Sequence, residues 1–152
     1  MKLKHFLVPL IGLILSLAAF TFTATADSDL NFALTELNAA ARLDFGSYRA
    51  NIGLSYNLSA SKIDYLHVSL RMPPSDIFMV AELSLMCGRP IDRVVVVYQK
   101  HKTRGWGYIA KQLGIKPGSP RFKALKNKAT YHSGKLKNKK NGSKNNKHKK
   151  KW

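Results

Sequence analysis

After Asp92 the chain contains no acidic residue, and its last sixty positions carry nineteen Lys and Arg, whereas Asp27 to Asp92 carries eight acids against five bases. The final part of that segment is too charged and too poor in apolar side chains to offset its ordering entropy by burial. The core must therefore come from the acidic and mixed region and the basic helices up to Lys128. From Tyr131 onward the residues are mostly Lys, Asn, Gly, Ser and His, which predicts a disordered Lys-rich tail over 131–152. Its lysines, Lys135, Lys137, Lys139, Lys140, Lys144, Lys147, Lys149, Lys150 and Lys151, form a cationic arm. Lysine supplies point charges without bidentate recognition, which suits sequence-independent attraction to phosphate or carboxylate polymers. The plainer reading of such a tail is a solvated extension that aids solubility.

At the other end, Lys2 and Lys4 precede an apolar run from Phe6 to Phe22, and Ala24-Thr25-Ala26 supplies small residues of the kind a signal peptidase accepts. Residues 1–26 are read as a signal peptide cleaved after Ala26, which places the mature protein in the periplasm or outside the cell. The run is broken by Pro9, Gly12 and Ser16 and is shorter than the roughly 20 residues that span a bilayer, so a retained anchor is the weaker reading. Cleavage would leave 126 residues and lower the formal charge from +18 to +16. That length suits one domain with one small core. Cys87 is the only cysteine, so no intramolecular disulfide is available and packing must supply the stability. Its place in Leu83-Ser84-Leu85-Met86-Cys87 favours a buried, inert thiol.

Tyr48, Ala50, Ile52, Leu54, Tyr56 and Leu58 alternate with polar residues, the period of a half-buried strand. Upstream, Leu37, Ala39, Ala41 and Leu43 alternate too, and Asp44-Phe45-Gly46-Ser47 offers turn chemistry. An N-terminal β-hairpin region over 27–58 is expected, because it gives each strand a backbone partner. A competing helical stripe runs through Leu30, Ala33, Leu34, Leu37 and Ala41.

From Ser59 the period becomes helical. Ser59 can cap a helix carrying Ile63, Leu66 and Leu70 on one face, with Pro73-Pro74 as its stop. Ser75 can cap the next, whose Ile77, Val80, Ala81, Leu83, Leu85 and Met86 mark it as the central buried helix, closed by Gly88. Pro90 and Asp92 at one end, with Lys100, His101 and Lys102 at the other, make a helix of the next segment despite the β-propensity of Val94 to Val97. Trp106, Ile109, Ala110 and Leu113 then form a stripe ended by Gly114, and Ser119-Pro120 starts a helix with Phe122 and Leu125. The expected fold is mainly α: a bundle of four to five short helices (helical domain 59–130) with an N-terminal β-hairpin and a disordered basic C-terminal tail.

The densest motif comprises Gly105, Trp106, Gly107, Ile109, Ala110, Lys111, Leu113 and Gly114, continuing through Ile115-Lys116-Pro117-Gly118-Ser119. With Met72-Pro73-Pro74-Ser75-Asp76 and Pro90 to Val95, it resembles a group of small exported bacterial proteins of unknown function that carry a Gly-Trp-Gly-x-Ile-Ala-Lys-x-Leu-Gly-Ile-Lys-Pro-Gly-Ser block. The resemblance covers about Phe45 to Lys126 and implies a family without a chemistry. Members often have His after the Phe of the final motif, where this chain has Lys123.

No C-x-x-C-H run is present for covalent haem, and His67, His101, His132 and His148 are scattered without a ligand-pair spacing, so no cofactor or metal is called for. The favoured reading is an exported, non-enzymatic protein that binds anionic envelope material, extracellular polymer or nucleic acid through its lysines. One alternative is a helix-turn-helix over 105–128 presenting Lys116, Arg121, Lys123, Lys126 and Lys128 to DNA phosphates. Another is an enzyme of unrecognised type built around Glu82, His101 or Trp106.

Overall fold

A computed structural model describes residues 24–148, and the surroundings of side chains over 28–136. Among the described residues every regular element is helical. Helix α1 spans Ala24–Leu43 and α2 spans Phe45–Tyr56, so the expected N-terminal β-hairpin is not formed. The competing stripe won. Leu30, Ala33, Leu34, Leu37 and Ala41 are all buried along one face of α1. In α2 the apparent alternation conceals a helical pair: Tyr48 and Ile52, four apart, are buried, while Leu54 is 88% exposed. Asp44, expected in a turn, instead caps α2, its Oδ1 accepting from Ser47 N at 2.8 Å.

Ser59 caps α3 (Ala60–Asp64), its hydroxyl accepting from Lys62 N. The helix continues as a π-helical turn over Tyr65–Ser69, and Ile63 and Leu66 enter the core. Pro74 opens α4 (Pro74–Cys87) at its first turn instead of only stopping what precedes it. Ser75 therefore lies inside α4, and its cap comes from α1: Asn38 Oδ1 accepts from Ser75 N at 2.8 Å and Asn38 Nδ2 donates to Ser75 Oγ at 3.0 Å. Every residue from Ile77 to Leu83 is buried, which makes α4 the axis of the bundle; it touches α1, α2, the π turn, α5 and α7. Each fully buried Leu, Ile or Phe there stabilises the fold by about 1.5–3 kcal/mol relative to exposure. Cys87, at the end of α4, is a free thiol and only half-buried, with Sγ directed at Ser84 O.

Helix α5 (Ile91–His101) starts behind Pro90 and buries Val94, Val95 and Tyr98. The four valines do not make a strand because Val94 and Val95 share a helical face with Ile91 and Tyr98 against α4, while Val96 is exposed. After a 3₁₀ turn (Lys102–Arg104), α6 spans Gly105–Gln112 and packs on α5. Helix α7, Pro120–His148, lies chiefly along α1 and also on α4. No described helix is long and apolar enough to cross a membrane. The expected signal sequence falls almost entirely on residues 1–23, outside the described residues.

Candidate polyanion-binding surface

Ser119 Oγ accepts from Phe122 N at 3.2 Å at the start of α7, and the Arg121 guanidinium donates to the Met86 carbonyl at the end of α4. Phe122, Leu125, Ala129, His132 and Ser133 then recur at helical spacing and are all buried. On the remaining surface Arg121, Lys123, Lys128 and Lys135 are exposed. The helix does not stop where apolar residues run out: Lys137, Lys139, Lys140, Lys144 and Lys147 all belong to α7, while Lys149, Lys150 and Lys151 lie outside the described residues. The expectation of a disordered tail from 131 is therefore corrected as far as His148. Tyr131 to Ser133 sit on a helix already nucleated by the packing of Phe122 and Leu125, and extending a formed helix costs far less than starting one. Lysine is also a good helix former.

Acids are spent upstream of this cationic half. Arg49 pairs with Asp64 at 2.7 Å and Lys62 pairs with Asp92. Glu82 is the exception, since it faces α7: Lys128 Nζ lies 3.8 Å from its Oε1, and Tyr56 donates to its Oε2 at 2.8 Å. Glu82 is 3% exposed. Burial, with the Glu82 carboxylate beside it, drives the Tyr56 hydroxyl well above its usual range. His132 packs on Phe78 (5.1 Å between centroids) and Tyr56 (6.1 Å). Burial, followed by the charges of Lys128 and Lys135, pushes its imidazole below the ordinary histidine value.

The three residues of the enzyme alternative have separate surroundings. Glu82 sits in this buried cluster, Trp106 stacks on Tyr98 at 5.3 Å, and His101 meets Tyr108 edge-on at 5.1 Å. The Tyr98 hydroxyl donates to Asp76, which also accepts from Ser75 Oγ at 3.2 Å. Burial raises the Asp76 carboxyl, opposed by these hydrogen bonds and by Lys102. Trp106 is thus tied through Tyr98 to the start of α4, and Ile109, Ala110, Leu113 and Ile115 fill the core beneath it. In the motif, Gly105, Lys111 and Gly114 are exposed and Gly107 is half-buried, while Trp106, Ile109, Ala110 and Leu113 join α6 to the bundle. Gly114 has φ +83° in the turn that leaves α6, a value that suits glycine.

For a helix-turn-helix, α6 and α7 would need to pack on each other. Here α6 rests on α5, and α7 on α1 and α4. Among the described residues no group of three or more His, Cys, Asp or Glu is placed to hold a metal ion. Within this buried cluster only Glu82 was a candidate catalytic residue from the sequence. Its partners Tyr56 and Lys128, and His132 packed on Tyr56, come from distant elements, and no spacing signal links them. Comparison of the chain with protein-family models, curated proteins and solved structures finds no match.

Proposed function

We propose that the protein is an exported, non-enzymatic binder of anionic polymers, held to them by the lysines of α7 and the residues that follow it. The observation that carries this reading is the charge segregation: no acid follows Asp92, and the lysines from Lys135 to Lys147 continue a helix whose root is fixed in the core. A rooted helix presents its charges from a defined place on the bundle, and counterion release from a polyanion rewards each contact without requiring a base-specific or sugar-specific pocket. Lys135 and Lys139, and Lys140 and Lys144, stand four residues apart, a spacing at which like charges oppose helix formation. A polyanion relieves that repulsion, so binding and helicity of this end should rise together.

Export is supported by the layout of residues 1–26 and by the resemblance of the Gly105–Ser119 block to small exported proteins. Cutting after Ala26 would leave the buried stripe from Leu30 onward whole. Mass spectrometry of the protein from its native host should find the chain beginning at Asp27; an intact Met1 in the cytosol would contradict export. For the binding itself, the full chain should be retained on a polyanionic resin at low salt. Changing the nine tail lysines to Gln should abolish most of that retention while leaving the melting temperature of the body in place. Equal retention by the neutralised variant would refute the reading.

A further inference from the structure

A second cationic feature lies on the body and differs in kind from the lysine tail. Where the end of α1, the start of α2, the π turn and the entry to α4 meet, the chain encloses an open cavity of about 620 Å³, lined among others by Arg42, Arg71, His67, Phe45 and Pro73. That volume suits a metabolite-sized ligand. No Asp or Glu lines it. Neither arginine forms an ion pair with a described residue.

The backbone here departs from regular geometry at the residue that supplies one guanidinium. Leu70 N donates to Tyr65 O at 3.1 Å and Met72 N reaches back to Leu66 O at 3.0 Å, which closes the widened π turn. Between them Arg71 takes φ +51°. A long side chain in the left-handed region is strained, and such strain concentrates at ligand sites. Single π turns also occur frequently at functional positions. Arg42 is in the last turn of α1 and Arg71 directly follows the C-cap Leu70 of the π turn, so two helix C-termini each favour a cation at this cavity.

The aromatic wall is equally fixed. His67 stacks on Phe45 with ring centroids 4.5 Å apart, and its Nδ1 lies 2.9 Å from the Met72 carbonyl. A carbonyl only accepts, so Nδ1 carries a proton and Nε2 is the nitrogen left to take a further partner. The first amides of α4 are not available to an anion: Ser75 N is used by Asn38, and Asp76 N and Ile77 N by the Pro73 carbonyl. Recognition falls to the side chains.

We infer that this cavity is a binding site for a small organic oxyanion, a phosphomonoester or carboxylate, gripped by the Arg42 and Arg71 guanidinium groups beside the His67–Phe45 wall. Arginine forks bind such groups bidentately, a selectivity the lysine tail lacks. The site stands independently of the polyanion reading.

The test uses the full chain, with proton NMR of the His67 and Phe45 rings and calorimetry during titration by a small phosphomonoester and, separately, by a dicarboxylate. Saturable shifts of both rings by either probe, with Kd of about 1 mM or tighter, are expected, and the responding probe identifies the oxyanion. The decisive variant is Arg71→Gly: glycine accepts the positive φ without strain, so its melting temperature should equal or exceed that of the parent. Its affinity for the responding probe should nevertheless fall by about tenfold or more, the loss of one charge-assisted fork. Arg42→Gln should weaken the same probe. Ring shifts by neither probe, shifts confined to the lysine tail, or unchanged affinity in Arg71→Gly would overturn the assignment.

Discussion

Glu82 shows what a single buried carboxylate demands of its surroundings. At 3% exposure it keeps a hydroxyl donor, Tyr56, on one oxygen and a lysine, Lys128, near the other, and no buried side-chain polar atom among the described residues lacks a partner. Removing the hydroxyl with Tyr56→Phe leaves Lys128, at 3.8 Å, as the nearest compensation. Chemical denaturation should register a loss of about 1–3 kcal/mol; an unchanged midpoint would show that water replaces the donor. His132 adds a pH dependence to the same cluster. Its pKa is lower folded than unfolded, so the unfolded chain binds the proton first as pH falls. Its contribution is whole above about pH 6.5, the unfolded value, and is lost as pH drops through the folded value below that. His132→Phe should flatten that part of the acid limb of a stability–pH curve. Asp76 has the opposite sign: its carboxyl is raised, so acidification relieves the cost of its charge. In the sequence Glu82 was visible as a charge on an apolar helix, but its partners were not, since Tyr56 comes from α2 and Lys128 from α7.

At the scale of elements, capping chemistry was more legible than period. Ser59, Pro90, Gly88 and Ser119 stand at helix ends as their residue types imply. The hairpin failed because Leu37–Leu43 and Tyr48–Leu58 satisfy both periods over a short window, and tertiary contact with α4 and α7 selected the helical face. The helical assignment of α2 has a specific consequence at Gly53. A Cβ there would stand 2.9 Å from the Leu58 carbonyl oxygen, which belongs to backbone and cannot swing away. Gly53→Ala, which in an open helix gains up to about 1 kcal/mol, should instead lower the melting temperature. Stabilisation by that change would argue against the turn that follows α2. Ile52→Ala should cost about 2–5 kcal/mol, since Ile52 is 1% exposed, whereas Leu54→Ala, at a residue 88% exposed, should cost far less; similar losses at the two would fit a strand, which puts both on one face. The extent of α7 was missed for a related reason: composition reports that residues 131–148 cannot form a core, but says nothing of a helix continued from Phe122 and Leu125.

The whole molecule divides by charge. The acids lie between Asp27 and Asp92 and are largely engaged by neighbours such as Arg49, Lys62 and Tyr98, while the chain beyond Asp92 adds only cations. That division was fully legible in the sequence, because net charge needs no fold to be counted. The Arg42–Arg71 cavity was not, because it forms where α1, the π turn and α4 converge, and neither arginine belongs to a motif. In the proposed function the lysines from Lys135 onward are counterion-releasing contacts. The direct measurement is the affinity of the full chain for a labelled single-stranded polyphosphate polymer across a salt series. With about six lysines engaged, log affinity should fall against log salt with a slope of about −4 or steeper, and neutralising the nine tail lysines should at least halve that slope. An affinity indifferent to salt, or a slope unchanged by neutralising the tail, would contradict it.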